Sequence, residues 1–205
     1  MSDPIKSIRF AKGMSQSLCV ALMLLTCGAL SAQNEEHRIR NIVLVHGAWA
    51  DGTGWKGVYD ILVKDGYNVS IVQEPETSFK DDVAATKRAL ALQDGPCILV
   101  GHSYGGAVIT EAGTDSSVAG LVYVAAHMPD AGENKAVITA VAWRSEPSWM
   151  VVAGADRTIN PDLERWYATR ANSHKVEFAG ASNSVYVSRP KEVAAVIEEA
   201  AAHVH

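Results

Sequence analysis

From residue 41 onward, short apolar runs alternate with stretches of helical spacing. The runs are 42–45, 69–72, 97–100, 120–125 and 148–153, with a sixth strand at Lys175-Val176-Glu177-Phe178, where charged and apolar residues alternate; a glycine, a histidine or a polar residue follows each within two positions. A run of four to six residues, apolar throughout or nearly so, is the mark of a strand covered on both faces. Between the runs the apolar period changes. Trp55, Val58, Ile61 and Leu62 fall on one helical face, and Gly66 supplies the stop. Ser78 is placed to cap a helix over 79–92, with Asp81 and Asp82 in its first turn, and Gly95-Pro96 ends that unit. Asn160-Pro161 reads as N-cap then first helical residue, with Leu163, Trp166 and Tyr167 on the inner face. Ser188 and Pro190 open a last helix whose Val193, Val196 and Ile197 face inward. This alternation predicts an α/β fold: a mainly parallel six-stranded sheet with helices on both faces.

In such a sheet, ligands bind beyond the carboxyl ends of the strands. His46, Ser103, His127, Asp156 and Asn183 each follow a predicted strand, so the fold gathers them on one edge. The third run continues as Gly101-His102-Ser103-Tyr104-Gly105 and then into small residues that start a helix. A strand that turns sharply into a helix crowds the positions two before and two after the apex. Glycine at both leaves Ser103 raised above the sheet, at a helix start whose dipole favours developing negative charge.

The first 32 residues have a different composition. Lys6, Arg9 and Lys12 precede a mostly apolar segment over 18–30, and Ser31-Ala32 offers small residues at a cleavage point. This is the pattern of a secretory signal peptide, residues 1–32, followed by one domain over 33–205. The apolar segment is short for a membrane span, so no stable membrane association is expected after cleavage. Cys19 and Cys27 lie in that segment and leave Cys97 alone, so no intrachain disulfide is expected; the location expected is periplasmic or secreted. The net charge is −5, from 18 basic and 23 acidic residues with no basic stripe, which argues against a nucleic-acid partner. Neither metal-ligand spacing nor a dinucleotide fingerprint occurs, so no cofactor and no metal are implied.

Several segments together resemble the α/β-hydrolase superfamily, in the branch of plant methyl-ester esterases, hydroxynitrile lyases and their bacterial relatives. They are Val43-Leu44-Val45-His46-Gly47-Ala48-Trp49, Gly101-His102-Ser103-Tyr104-Gly105-Gly106, Ala125-Ala126-His127-Met128-Pro129-Asp130, Asp156-Arg157-Thr158-Ile159-Asn160-Pro161 and Gly180-Ala181-Ser182-Asn183. The resemblance implies Ser103 as nucleophile, Asp156 as the acid that orients a base, and the backbone N–H groups of Ala48 and Tyr104 as the oxyanion hole. His46, Trp49, His102 and His127 are candidate substrate contacts. Residue by residue, other roles stay open. Asp156 is also suited to cap the next helix or to pair with Arg157. His46 and His102 suit structural places in their turns, and His127 a packing role or that of a substitute base.

Two departures from the family pattern matter. The position of its histidine base holds Asn183, and an amide does not accept a proton near neutral pH. The span between the fourth and fifth strands that carries a helical cap in relatives is only about a dozen residues here, 134–145, so the cap is expected to be reduced or absent. The expected function is a serine hydrolase of small carboxylic esters, weakened by the missing base. The alternatives are a catalytically dead homologue or an enzyme like the hydroxynitrile lyases. An apolar surface left where the cap would lie could support a homodimer.

Overall fold

The computed structural model describes residues 39–133 and 138–204; the expected signal peptide lies outside them. The strands are β1 (Asn41–Val45), β2 (Asn68–Ile71), β3 (Cys97–His102), β4 (Val118–Val124), β5 (Ser148–Ala153) and β6 (His174–Phe178). All five pairings are parallel, in the order β2-β1-β3-β4-β5-β6. The helices are α1 (Lys56–Lys64), α2 (Phe79–Leu90), α3 (Gly105–Ala112), α4 (Pro161–Arg170), α5 (Val185–Ser188) and α6 (Pro190–His203).

The two-residue period of the strands sorts the core into two layers. On one face Ile42, Leu44, Ile98, Val100, Val122, Val124, Trp149 and Val151 meet Trp55, Val58 and Leu62 ahead of and along α1, and Val193, Val196 and Ile197 of α6. On the other, Val43, Val45, Leu99, Leu121, Tyr123, Met150 and Val152 meet Val83 and Leu90 of α2, Val108 and Ile109 of α3, and Tyr167 and Ala168 of α4. Burying each large apolar side chain contributes on the order of 1.5–3 kcal/mol. Both faces of the central strands are therefore spent on packing, and chemistry is left to the strand ends.

Local signals act as the sequence suggests. Ser78 accepts a hydrogen bond from Asp81 N, and Asn160 from Asp162 N, with Pro161 at the first helical position. Three details differ. Helix α2 stops at Leu90, and Leu92 is exposed. Ser188 closes the separate short helix α5 instead of capping α6. On α4, Tyr167 faces the core as expected, but Leu163 and Trp166 are 36% and 49% exposed. Glu164 takes the inner position because its Oε2 accepts Ala153 N, at the end of β5, across 2.9 Å. That bond turns the face of α4, and Trp166 is covered instead by the Arg170 guanidinium, 4.4 Å from its ring.

Between β4 and β5 the described residues contain one helical turn, Ala142–Arg144. Glu111 of α3 holds this segment down, accepting from Thr139 N, Thr139 Oγ1 and Ala140 N. Trp143 Nε1 donates to Pro129 O at 2.9 Å, and Arg144 pairs with Asp130. The connection is thus pinned against the sheet's carboxyl edge by polar contacts.

Candidate active site

Ser103 stands between β3 and α3 with φ +51°, in the left-handed region that a serine rarely occupies. The glycines around it are required by contact. A Cβ on Gly101 would lie 2.6 Å from Gly105 O, and one on Gly105 would press into the His46 carbonyl. A Cβ on Gly47 would lie 3.0 Å from Ser103 Cβ, so the loop after β1 runs directly beside the serine. That loop carries Ala48. The N–H groups of Ala48 and Tyr104 have no partner among the described residues. Tyr104 follows Ser103 directly and Ala48 follows Gly47, the residue beside that serine; Ser103 itself is half-buried.

Asp156 follows β5 and is buried. Its Oδ1 accepts from Thr158 N and Ile159 N at 2.7 and 3.1 Å, and its Oδ2 accepts from Asn183 Nδ2 at 2.8 Å. Both open readings of its carboxylate are therefore answered. It does brace its own turn; it makes no ion pair with Arg157 among the described residues; and its second oxygen points to position 183. Asn183 lies in the loop after β6 and directs the same amide nitrogen to Ala125 O at 3.3 Å.

The histidines divide by their hydrogen bonds. His102 Nε2 faces the Asn183 backbone carbonyl at 3.0 Å, and its ring packs on Tyr186 with centroids 4.2 Å apart. Burial pushes His102 down to about 4, so it is neutral at neutral pH. His46 Nε2 accepts Glu74 N at 3.2 Å, which leaves the proton on Nδ1, 2.9 Å from Gly47 O. Both rings hold loops in place. His127 sits after β4 and its backbone N–H donates to Ser103 O at 3.0 Å. Burial lowers its ring below the ordinary histidine range, while the Asp156 carboxylate acts in the opposite direction. The Trp49 indole is 95% exposed on the same edge. His174, at the start of β6, stacks on Trp149 at the other end of the sheet.

Two buried carboxyls were not anticipated. Glu164 lies behind Asp156; burial pushes it up to about 8, and the nearby Asp156 carboxylate adds to the shift. Glu74 lies beside His46, and burial, then Asp82 and Glu76, push it up to about 8. Asp82, in the first turn of α2, turns inward and accepts from Tyr104 OH at 2.7 Å and from Glu76 N at 2.8 Å. The signal for it was in the spacing: Phe79, Asp82, Val83, Thr86 and Leu90 share one helical face. Among the described residues no three His, Cys, Asp or Glu side chains converge to hold a metal ion.

Residues 42–142 match the alpha/beta hydrolase family. A carbendazim hydrolyzing esterase from a Nocardioides strain is 32% identical over 130 residues, covering 56% of this chain and 53% of that protein. The chain thus spans about half the length of that curated relative. Among solved structures, a pyrethroid hydrolase from Sphingobium faniae superposes with TM-score 0.67 at 18% identity, over 80% of this chain and 98% of the other. Polyneuridine aldehyde esterase gives 0.68 at 15%, over 79% and 99%. A methylesterase from Arabidopsis gives 0.66 at 16%, over 79% and 98%. At these identities the structural likeness speaks for the fold.

Proposed function

We propose that this chain, which has the α/β-hydrolase fold and matches the alpha/beta hydrolase family over residues 42–142, is a serine hydrolase of small carboxylic esters whose turnover is limited by Asn183. The observation that carries the proposal is the pairing of Ser103 at φ +51° with the Asp156–Asn183 hydrogen bond of 2.8 Å on the same sheet edge. In this reading Ser103 Oγ attacks the ester carbonyl carbon. The oxyanion so formed is met by the Ala48 and Tyr104 N–H groups, the C–O bond to the alcohol breaks, and water later releases the acid from the serine.

The proton of Ser103 has to reach the departing alkoxide. A histidine at 183 would accept it at Nε2 while Asp156 held Nδ1–H. The asparagine amide holds Asp156 in the same way but accepts no proton, so transfer falls to water and is slow. A second reading, a binding homologue without turnover, is favoured by the same residue. The two are separated by hydrolysis of a short activated aryl ester, with wild type beside Ser103→Ala. Slow turnover that Ser103→Ala abolishes supports the hydrolase; identical rates in both support the binding protein. The basic and apolar pattern of residues 1–32 supports export, which intact mass of the periplasmic protein would test.

A further inference from the structure

A cavity of about 210 Å³ opens beside the serine turn, lined by Ala48, Trp49, Glu76, Ser78, Phe79, Asp82 and Tyr104. Two of its wall residues also belong to the proposed oxyanion hole, so whatever fills it lies next to the reacting carbonyl. Its chemistry is unusual for a site that takes neutral esters. Two of the walls carry the Phe79 and Tyr104 rings, set edge to face at 6.4 Å, and Trp49 borders the opening with an indole that is 95% exposed. Two others are carboxylates.

Those carboxylates are held in place. Asp82 is buried, with one oxygen accepting from Tyr104 OH and the other from Glu76 N. Glu76 Oε2 accepts Trp49 N at 3.1 Å. Behind them Glu74 is wholly buried, and both of its oxygens lack a hydrogen-bond donor. The nearest candidate, His46 Nδ1, is 3.4 Å from Glu74 Oε2, but its proton points to Gly47 O. Among the described residues no lysine or arginine pairs with the two carboxylates of the wall, Glu76 and Asp82. Among the described residues these carboxyls do not converge as metal ligands, and the aromatic rings beside them suit an organic cation. Aromatic faces attract such a cation through their quadrupoles, and acidic groups add charge attraction in a partly desolvated cavity.

We infer that this cavity binds the ammonium head of a cationic ester, so that the substrate class is an ester of an amino alcohol or of a similar quaternary amine. The inference rests on the hydrolase reading for its catalytic meaning, but binding is measured without it. The volume suits one head group and not a whole ester. The remainder of the substrate then lies across Ser103.

The test uses two probes of one shape, choline and its uncharged carbon isostere neohexyl alcohol, titrated by calorimetry into wild type and Ser103→Ala. Choline should bind at least about tenfold more tightly than neohexyl alcohol in both proteins. Glu76→Gln, which keeps an acceptor for Trp49 N, should remove most of that preference. Trp49→Ala, on an exposed side chain, should reduce it without affecting the fold. No binding of choline, equal affinity for the two probes, or an unchanged preference in both variants overturns the site. Since the titration breaks no bond, a failure of Ser103-dependent hydrolysis counts against the hydrolase reading alone. In an Asn183→His protein that turns over esters, kcat/KM for the acetate of choline should exceed that for neohexyl acetate; equal values overturn the role of the cavity in substrate choice.

Discussion

The side-chain amide of Asn183 donates to Asp156 Oδ2 across 2.8 Å, the bond through which an acid would orient a histidine base. The contact between the acid and the side chain at 183 that the proposed mechanism requires is therefore present. Asn183→His should raise Ser103-dependent hydrolysis of an activated aryl ester at least about 10²-fold, the low end for a positioned general base. Adding Ser103→Ala should abolish the gain. A well-folded Asn183→His protein without a gain would show that the serine and position 183 do not meet. Strong Ser103-dependent activity in the wild type would point to another base, with His127 the first to replace.

The backbone at Ser103 is strained independently of any chemistry. A non-glycine residue in the left-handed region costs roughly 1–2 kcal/mol, and glycine does not bear this cost. Ser103→Gly should abolish hydrolysis yet leave the protein as stable or up to about 1 kcal/mol more stable in urea unfolding. Marked destabilisation would mean that the serine side chain itself holds the turn.

Gly106 makes the opposite prediction. A Cβ there would press into the His127 carbonyl and lie 2.7 Å from Ala126 Cβ, in backbone that has no room to give. Gly106→Ala should cost on the order of 1–3 kcal/mol or prevent folding. Gly66→Asn, at φ +92° in open space, should be nearly neutral by the same measurement.

The buried Glu74 and Glu164 set a pH dependence. Each has its carboxyl raised from the ordinary value to about 8 in the folded protein, by burial first. The native state therefore holds protons that the unfolded chain releases near 4.5. Their contribution to stability is complete below that value and is lost as pH rises through about 8. Between the two values each group should lower stability by about 1.4 kcal/mol per pH unit at most. Urea unfolding across this range should show the fall, and Glu164→Gln should flatten part of it. A wild-type profile that rises with pH would contradict the assignment.

The strand ends were legible in the sequence because a parallel sheet allows little else. Apolar or alternating runs marked six strands, the edge strands β2 and β6 being only partly buried, and the residues after each run had to lie at one edge, which brought Asp156 and Asn183 together from 27 positions apart. The charged interior was not legible. A glutamate on an amphipathic helix reads as solvent-facing, so the sequence alone places Leu163 and Trp166 inward. The folded chain reverses this because Ala153 N, at the end of β5, needs an acceptor, and Glu164 Oε2 supplies it. Likewise Asp82 reads as a complement to the helix dipole, and its inward turn depends on a Tyr104 hydroxyl from another element. Such pairs are properties of tertiary contact, and no local period announces them.

The preserved bond between Asp156 and Asn183 also bears on how this gene can change. In the genetic code, asparagine and histidine codons differ only in their first base. A chain whose acid already holds position 183 needs no second substitution to orient the new ring, so the step is a point mutation without an intermediate. In a randomly mutagenised population selected for growth on an ester as sole carbon source, that transversion should be among the first recovered.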